Sequence, residues 1–304
     1  MALLVTGAAG FVGTAVTREL ARQRSDEPIV LADKLLPPCP SDPRFKAVAV
    51  DLLDEDALHQ VMQGIDSVLH LISLPGGSAE ADPVLSRRLN VDLTLRLAER
   101  LAKSGAKKSR MVFASSIAVF GELGDRVDDD TRRSPLLTYG AHKWMAEIGL
   151  ADFARRGEVE TLSLRLPGII ARPRGNAGLK SAFFSDVFSA ARDGEKFIFP
   201  VSAQATAWLM SVERVAKNLM HALDLSALPG NAVTLPALRV AVGDLAAALY
   251  PDTKNFDFAP DESLERIFGR FPPLSTDFAD ALGFTHDGNL EELICASWRS
   301  LDPV

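Results

Sequence analysis

Cysteine is nearly missing from this chain: Cys39 and Cys295 are the only two, far apart and without metal-ligand spacing. That excludes a disulfide framework and a thiolate metal centre, and no other part of the sequence points to a metal site. Also missing is any apolar run long enough to span a bilayer. An excess of basic residues is lacking as well. The formal net charge is -7, which argues against nonspecific binding to nucleic acid or anionic membranes. The first strand-like run begins at residue 3 and leaves no room for a secretory signal, so a reducing cytoplasm is the expected compartment. What remains is an ordinary globular composition. With 304 residues, 47% hydrophobic and 24% charged, the chain can bury a large core in one long domain or two intimate ones.

Within it, Leu3-Leu-Val reads as a short buried strand and Phe11 to Gln23 as a helix, with Gly7, Gly10 and Gly13 between and into them. Alone, such glycines could serve a plain turn. Between a strand and a helix they permit a tight turn, close approach of backbone to a ligand and close helix packing, so Gly7, Gly10, Phe11, Val12 and Gly13 form a pyrophosphate cradle at a helix N-terminus. The next strand, Pro28 to Asp33, ends in a carboxylate placed to accept hydrogen bonds from a ribose diol, which argues for NAD over NADP. Lys34 beside it weakens that exclusion slightly.

Strand and helix patterns then alternate: Ala47–Val50, helix Glu55 to Met62, Ser67–Ile72, helix Pro83 to Ser104, Met111–Ser115, helix Thr138 to Arg156 and strand Glu160–Leu166. This order predicts an α/β fold with a doubly wound parallel sheet, whose ligands lie beyond the carboxyl ends of the strands, where Gly7, Asp33, Asp51, Ser73 and Ser116 all fall. Beyond Pro167 the pattern becomes irregular, with a turn-rich loop at Arg172–Gly178 and a helix at Ala182–Asp193. The expected division is residues 1–166 for the cofactor and 167–304 for a smaller substrate lobe with some segments returning to the first. The acidic stretch Asp125–Asp130 reads as an exposed loop.

Tyr139 and Lys143 stand four apart at a helix start, so both side chains project from one face. A free phenol is a poor base at neutral pH; a neighbouring ammonium and an oxidised nicotinamide both favour phenolate, making Tyr139 the candidate base. Ser116, at the end of a strand, can orient the reacting oxygen, and alternation along the strand turns Ser115 the other way. The catalytic set is therefore Ser116, Tyr139 and Lys143.

The stretches Thr6–Gly13, Asp51-Leu52, His70–Ser73, Asn90-Val91, Ser115–Gly121, Tyr139-x-x-x-Lys143 and Leu164–Pro167 together resemble the extended short-chain dehydrogenase/reductases, or epimerase/dehydratase family, with a Rossmann-type fold, over the whole chain. The resemblance implies that Asp51 and Leu52 flank the adenine, that Leu71, Ile72 and Ser73 line the pyrophosphate and ribose, that Lys143 holds the nicotinamide ribose, and that Pro167 and Ile169 border the nicotinamide. Asn90 bridges backbone near the cofactor. Ile117-Ala118 stand where the family's dehydratases carry an Asp-Glu pair, which argues against dehydration. Within the family the chain is similar to the D-erythronate dehydrogenase group, which oxidises small sugar acids with NAD, through Ser116–Gly121, Ser134–Gly140, Arg165–Pro167, Arg172-Pro173, Phe183–Ser185, Trp208 and Ser211. It departs from that group at Thr206, Ala207, Leu209 and the loop from Pro173 to Ser181. The candidate substrate contacts are Ser73, Ser116, Tyr139 and Trp208, with Arg174, Asn176 and Lys180 either clamping a carboxylate or standing as solvated loop residues. A nucleotide-sugar 4-epimerase and a non-catalytic dinucleotide sensor are the alternatives. In this family the two helices at 83–104 and 138–156 commonly pair with their copies, implying a homodimer.

Overall fold

The computed structural model describes residues 2–23, 25–105, 108–174, 181–250 and 252–301. The chain separates into two units, the first comprising residues up to Val119, Leu137–Arg165 and Ala216–Val233, and the second Phe120–Leu136, Leu166–Val215 and residues from Thr234 onward.

In chain order the elements are β1 (Leu3–Thr6), α1 (Phe11–Arg22), β2 (Ile29–Asp33), β3 (Phe45–Ala49), α2 (Glu55–Val61), β4 (Ser67–His70), α3 (Gly76–Ala81), α4 (Pro83–Arg87), α5 (Leu93–Ala102), β5 (Arg110–Ser116), α6 (Thr138–Arg155), β6 (Glu160–Leu166), β7 (Gly168–Ile169) and α7 (Phe183–Arg192). There follow β8 (Phe197–Phe199), β9 (Thr206–Met210), α8 (Val212–Asp224), β10 (Ala232–Thr234), β11 (Leu238–Ala241), α9 (Val242–Leu249), β12 (Phe256–Phe258), α10 (Glu262–Phe268), α11 (Asp277–Ala281) and α12 (Leu290–Leu301).

Seven strands form one sheet in the order β10-β6-β5-β4-β1-β2-β3, and the pairs from β3 through β5 are parallel. Such strands are covered on both faces, so they read as near-continuous apolar runs. The register sets Thr6 level with Ala32 and His70. The loops after β1, β2 and β4 therefore open at one carboxyl edge. Leu4, Val68, Met111 and Phe113 from the sheet pack with Leu93, Leu97 and Leu101 of α5 and Ala146, Leu150 and Phe153 of α6.

The second unit has its own core and sheets. β9 pairs in parallel with β7 and antiparallel with β11, while β12 lies along β8. Phe183, Phe184, Val187 and Phe188 of α7 are buried with Phe199, Leu209, Leu245 and Leu293. These phenylalanines are core side chains.

The helix expected over 83–104 runs without interruption to Ala102, with a wider π-helical turn at Arg88–Asp92 between α4 and α5. Within it Asn90 turns its amide onto the backbone of Leu74, accepting from the Leu74 amide at 2.8 Å and donating to its carbonyl at 2.9 Å. Ahead of α4 lies the short α3, with Pro75 at its N-cap. One local reading is corrected, for the acidic stretch is anchored. Val127 is fully buried and bridged to Leu274, and the Asp129 carboxylate accepts from the Phe278 amide at 3.0 Å.

Among the described residues no helix is long and apolar enough to cross a membrane, and no group of three or more His, Cys, Asp or Glu could hold a metal ion.

Helix α1 sits so close to the loop before it that a Cβ on Gly13 would lie 2.2 Å from the Gly7 carbonyl oxygen and 2.6 Å from the Ala8 Cα, both backbone atoms. Gly13→Ala is expected to lower stability by about 1–3 kcal/mol, the usual cost of overpacking, measured as a fall in the thermal unfolding midpoint. An unchanged midpoint would contradict the packing described.

Candidate active site

The glycine loop is shaped by three constraints. Gly7 has φ +74, and a Cβ there would come within 2.9 Å of the Ile72 amide nitrogen, so both its conformation and the passage of the 71–73 segment demand glycine. The amides of Gly7 and Ala8 donate to the Ala32 carbonyl at 2.9 and 3.3 Å, and the Ala9 amide donates to the Asp33 carboxylate at 3.0 Å. Asp33 therefore braces the loop as well as ending β2. No side chain caps α1 at Gly10, which leaves a bare helix start of the kind that receives anions.

Beside the loop, Asp51 accepts from the Leu53 amide at 3.0 Å and from Lys34 at 3.3 Å, and these two contacts hold its carboxyl below the usual carboxylate range. Leu52 is buried in the core next to it, while Leu71, Ile72 and Ser73 remain half-buried along the sheet edge. Pro167 and Ile169, the expected neighbours of a nicotinamide, belong to the second unit. The cradle, the bare helix start and the Asp33 carboxylate together fit a dinucleotide.

On α6, Tyr139 is half-buried and Lys143 is only 1% exposed. The α6 start is held by Glu80, whose carboxylate accepts from the Thr138 amide at 2.5 Å. The Lys143 ammonium donates to the Ala114 carbonyl at 2.6 Å and lies 4.4 Å from the Phe113 ring centroid and 5.7 Å from that of Tyr139. Burial pulls its pKa down to about 7, and the Glu147 carboxylate one turn further along α6 works the other way.

The two serines divide as alternation predicts. Ser115 points inward and donates to Glu147 Oε1 at 2.5 Å, whereas Ser116 is half-buried and its hydroxyl accepts from the Ala118 amide at 3.1 Å. Glu147 is in turn gripped by Arg165 of β6 through bonds of 3.0, 3.2 and 2.7 Å, both side chains 4% exposed. Neither residue was assigned a role from sequence. The available signal was a charged residue in an apolar setting: arginine inside Leu164-Arg-Leu166 requires a buried partner.

His70 is a third residue to which the sequence assigned no role. It is fully buried, stacks on Phe113 at 5.7 Å, and bonds Thr6 at 2.6 Å and Thr94 at 3.1 Å. The Thr94 hydroxyl spends its hydrogen on the Asn90 carbonyl at 3.0 Å, so His70 Nε2 must donate to it and Nδ1 accepts from Thr6. Burial, and then the Lys143 charge, depress its pKa to about 3, which keeps it neutral. Asn90 also donates to Ser86 at 3.0 Å, and Ser86 meets His142 Nδ1 at 2.8 Å. His142 is thus part of a local scaffold.

The proposed substrate contacts fare differently. Trp208 is 1% exposed and its indole N-H donates to the Pro272 carbonyl at 2.7 Å, beside Phe120 and Phe271. The reading of Trp208 as a substrate contact is corrected to a core residue, because its single donor is consumed inside the second unit. Arg174 is exposed but paired with Glu195 at 2.7 Å and Asp193 at 3.6 Å. Asn176 and Lys180 lie outside the described residues.

Lys143 gives the fold a pH signature. With the folded pKa near 7 and the unfolded value near 10.5, the unfolded chain holds the extra proton between these values, so stability rises with pH across that window and the burial cost is complete below it. In cofactor-free protein, Lys143→Met should flatten the rise in thermal midpoint between about pH 7 and pH 10, relative to wild type. Parallel curves would contradict the burial.

A sequence model of the NAD dependent epimerase/dehydratase family matches residues 3–232. D-erythronate dehydrogenase of Haemophilus influenzae is 31% identical over 97% of this chain and 98% of its own, and D-erythronate dehydrogenase of Cupriavidus necator is 31% identical over 97% of each. Among solved structures, the nucleoside-diphosphate-sugar epimerase from Agrobacterium tumefaciens matches with a TM-score of 0.88 and 28% identity, covering 97% of this chain and 92% of that one. With a glycine cradle that fits a dinucleotide and a Tyr139–Lys143 pair in the same first unit, the chain belongs to the NAD dependent epimerase/dehydratase family, as an NAD-dependent enzyme of the extended short-chain dehydrogenase/reductase type.

Proposed function

We propose that this enzyme oxidises a secondary alcohol of a small sugar acid, with Tyr139 as the general base. The observation that carries the reading is the placement of Tyr139 one helical turn before a buried Lys143 whose ammonium is anchored on the Ala114 carbonyl. The two D-erythronate dehydrogenases support the substrate class.

In this proposal Gly7, Gly10, Phe11, Val12 and Gly13 receive the pyrophosphate, Asp33 the adenosine ribose, Asp51 and Leu52 the adenine, and Leu71, Ile72 and Ser73 the ribose and pyrophosphate edge. Lys143 holds the nicotinamide ribose, and Pro167 and Ile169 border the ring. Bound NAD supplies the hydride acceptor. Tyr139, as phenolate, takes the proton of the substrate hydroxyl; Lys143 favours that phenolate by its charge. Ser116 donates to the reacting oxygen and steadies the charge that develops there. Arg174 would reach a carboxylate only by giving up its pairs with Glu195 and Asp193.

A second reading, nucleotide-sugar epimerisation, draws on the likeness to the Agrobacterium epimerase. In that reaction no reduced coenzyme accumulates.

We also propose a homodimer built on α4, α5 and α6. Leu93, Leu97 and Leu101 of α5 and Phe153 of α6 are buried in the first unit's own core. The exposed apolar side chains of these helices are Val84 (72%), Met145 and Ile148 (56%).

Mixing the protein with NAD and D-erythronate is expected to raise absorbance at 340 nm, and Tyr139→Phe to cut that rate by about 10²-fold or more while NAD still binds. Wild-type turnover in the variant would overturn the base; interconversion of two UDP-sugars without net absorbance change would favour the epimerase. Light scattering at micromolar concentration should return twice the chain mass, falling toward one in Ile148→Asp; a wild-type monomer would refute the dimer.

A further inference from the structure

Tyr139, Lys143 and Glu147 occur every fourth residue on α6 and so share one stripe of the helix. The stripe faces the end of β5 through consecutive residues. Lys143 holds the Ala114 carbonyl and Glu147 holds the Ser115 hydroxyl, which leaves Ser116 as the next residue along. Two successive bonds from one helix thereby define where the Ser116 backbone lies and how it is turned.

Glu147 and Lys143 are four apart, the spacing at which glutamate and lysine ordinarily form an ion pair on a helix. Here they do not. The ammonium is given to a backbone carbonyl, and the carboxylate is given to Ser115 and to the guanidinium of Arg165, which bonds both of its oxygens from the strand next to β5. A planar fork on both oxygens fixes the carboxylate's rotation in a way a single bond cannot. Arg165 also satisfies the carboxylate, removing its demand for the Lys143 ammonium.

We propose that Glu147 is a positioning residue: gripped by Arg165 and bonded to Ser115, it locks the carboxyl end of β5 onto α6, so that Ser116, Tyr139 and Lys143 keep a single mutual geometry. This rests on the roles given to those three residues above. Arg165 and Ser115 act through Glu147, and all three lie within the first unit.

The test uses full-length protein carrying 13C-labelled lysine, together with Ser115→Ala, which changes no charge, and the double variant Glu147→Gln/Arg165→Met, which removes both buried charges together. In the wild type, the Lys143 side-chain signal, identified by its loss in Lys143→Arg, should be a single resonance. In both test variants it should split or broaden as the β5 end loosens. With D-erythronate as the probe substrate, kcat should drop about tenfold or more while KM for NAD stays within about twofold. A Lys143 signal that stays single and unshifted in both variants overturns the proposal whatever their melting temperatures. The two readings separate cleanly: turnover retained in Tyr139→Phe removes the base, and the Lys143 signal alone decides the positioning.

Discussion

Moving an ammonium out of water is costly unless hydrogen bonds and nearby charge replace its hydration. At Lys143 that replacement comes from the Ala114 carbonyl, the faces of Phe113 and Tyr139, and the Glu147 carboxylate one turn away. These partners come from two elements, Ala114 and Phe113 from β5 and Tyr139 and Glu147 from α6, so the charge survives only where α6 meets the end of β5 as it does here. Glu147 in turn survives because of Arg165. Breaking such a buried pair by removing one member typically costs about 3–5 kcal/mol, since the other charge is left unpaired. The residues proposed for proton transfer thus stand on a small electrostatic structure.

The cradle depends on a different constraint, the level ending of parallel strands. Because Thr6, Ala32 and His70 share one register, the glycine loop, Asp33 and the segment after His70 arrive at the same edge. Glycine at position 7 lets the Leu71-Ile72 backbone approach, and the Asp33 carboxylate ties down the Ala9 amide. The neutral His70 of β4 joins β1 through Thr6 and α5 through Thr94. Neutrality matters there, for a second positive charge near Lys143 would compete with the first.

Much of this was legible in the residues. The glycine loop, Asp33, the choice of Ser116 over Ser115, and the helix carrying Tyr139 and Lys143 all rest on local spacing, which a linear sequence displays directly. The wider turn at Arg88–Asp92 was not legible, because apolar periodicity continues through it and the Asn90 side chain within it bonds a loop sixteen residues earlier. Trp208 was misread for the same kind of reason. An aromatic residue in a strand looks alike whether it faces a ligand or a core, and the Pro272 carbonyl that consumes its N-H lies 64 residues away.

By itself the sequence determined the alternation of strands and helices, the sheet edge that the glycine loop and Asp33 share, and which three residues to propose for proton transfer, because these follow from periodicity, turn chemistry and side-chain type within short windows. Only the tertiary structure decided that Lys143 is dry and anchored on a backbone carbonyl, that Glu147 belongs to Arg165 and Ser115, and that His70 stays neutral. Those properties are relations between β4, β5, β6 and α6. Burial and pairing arise when segments distant in the chain exclude water from one another, and no single segment carries that information.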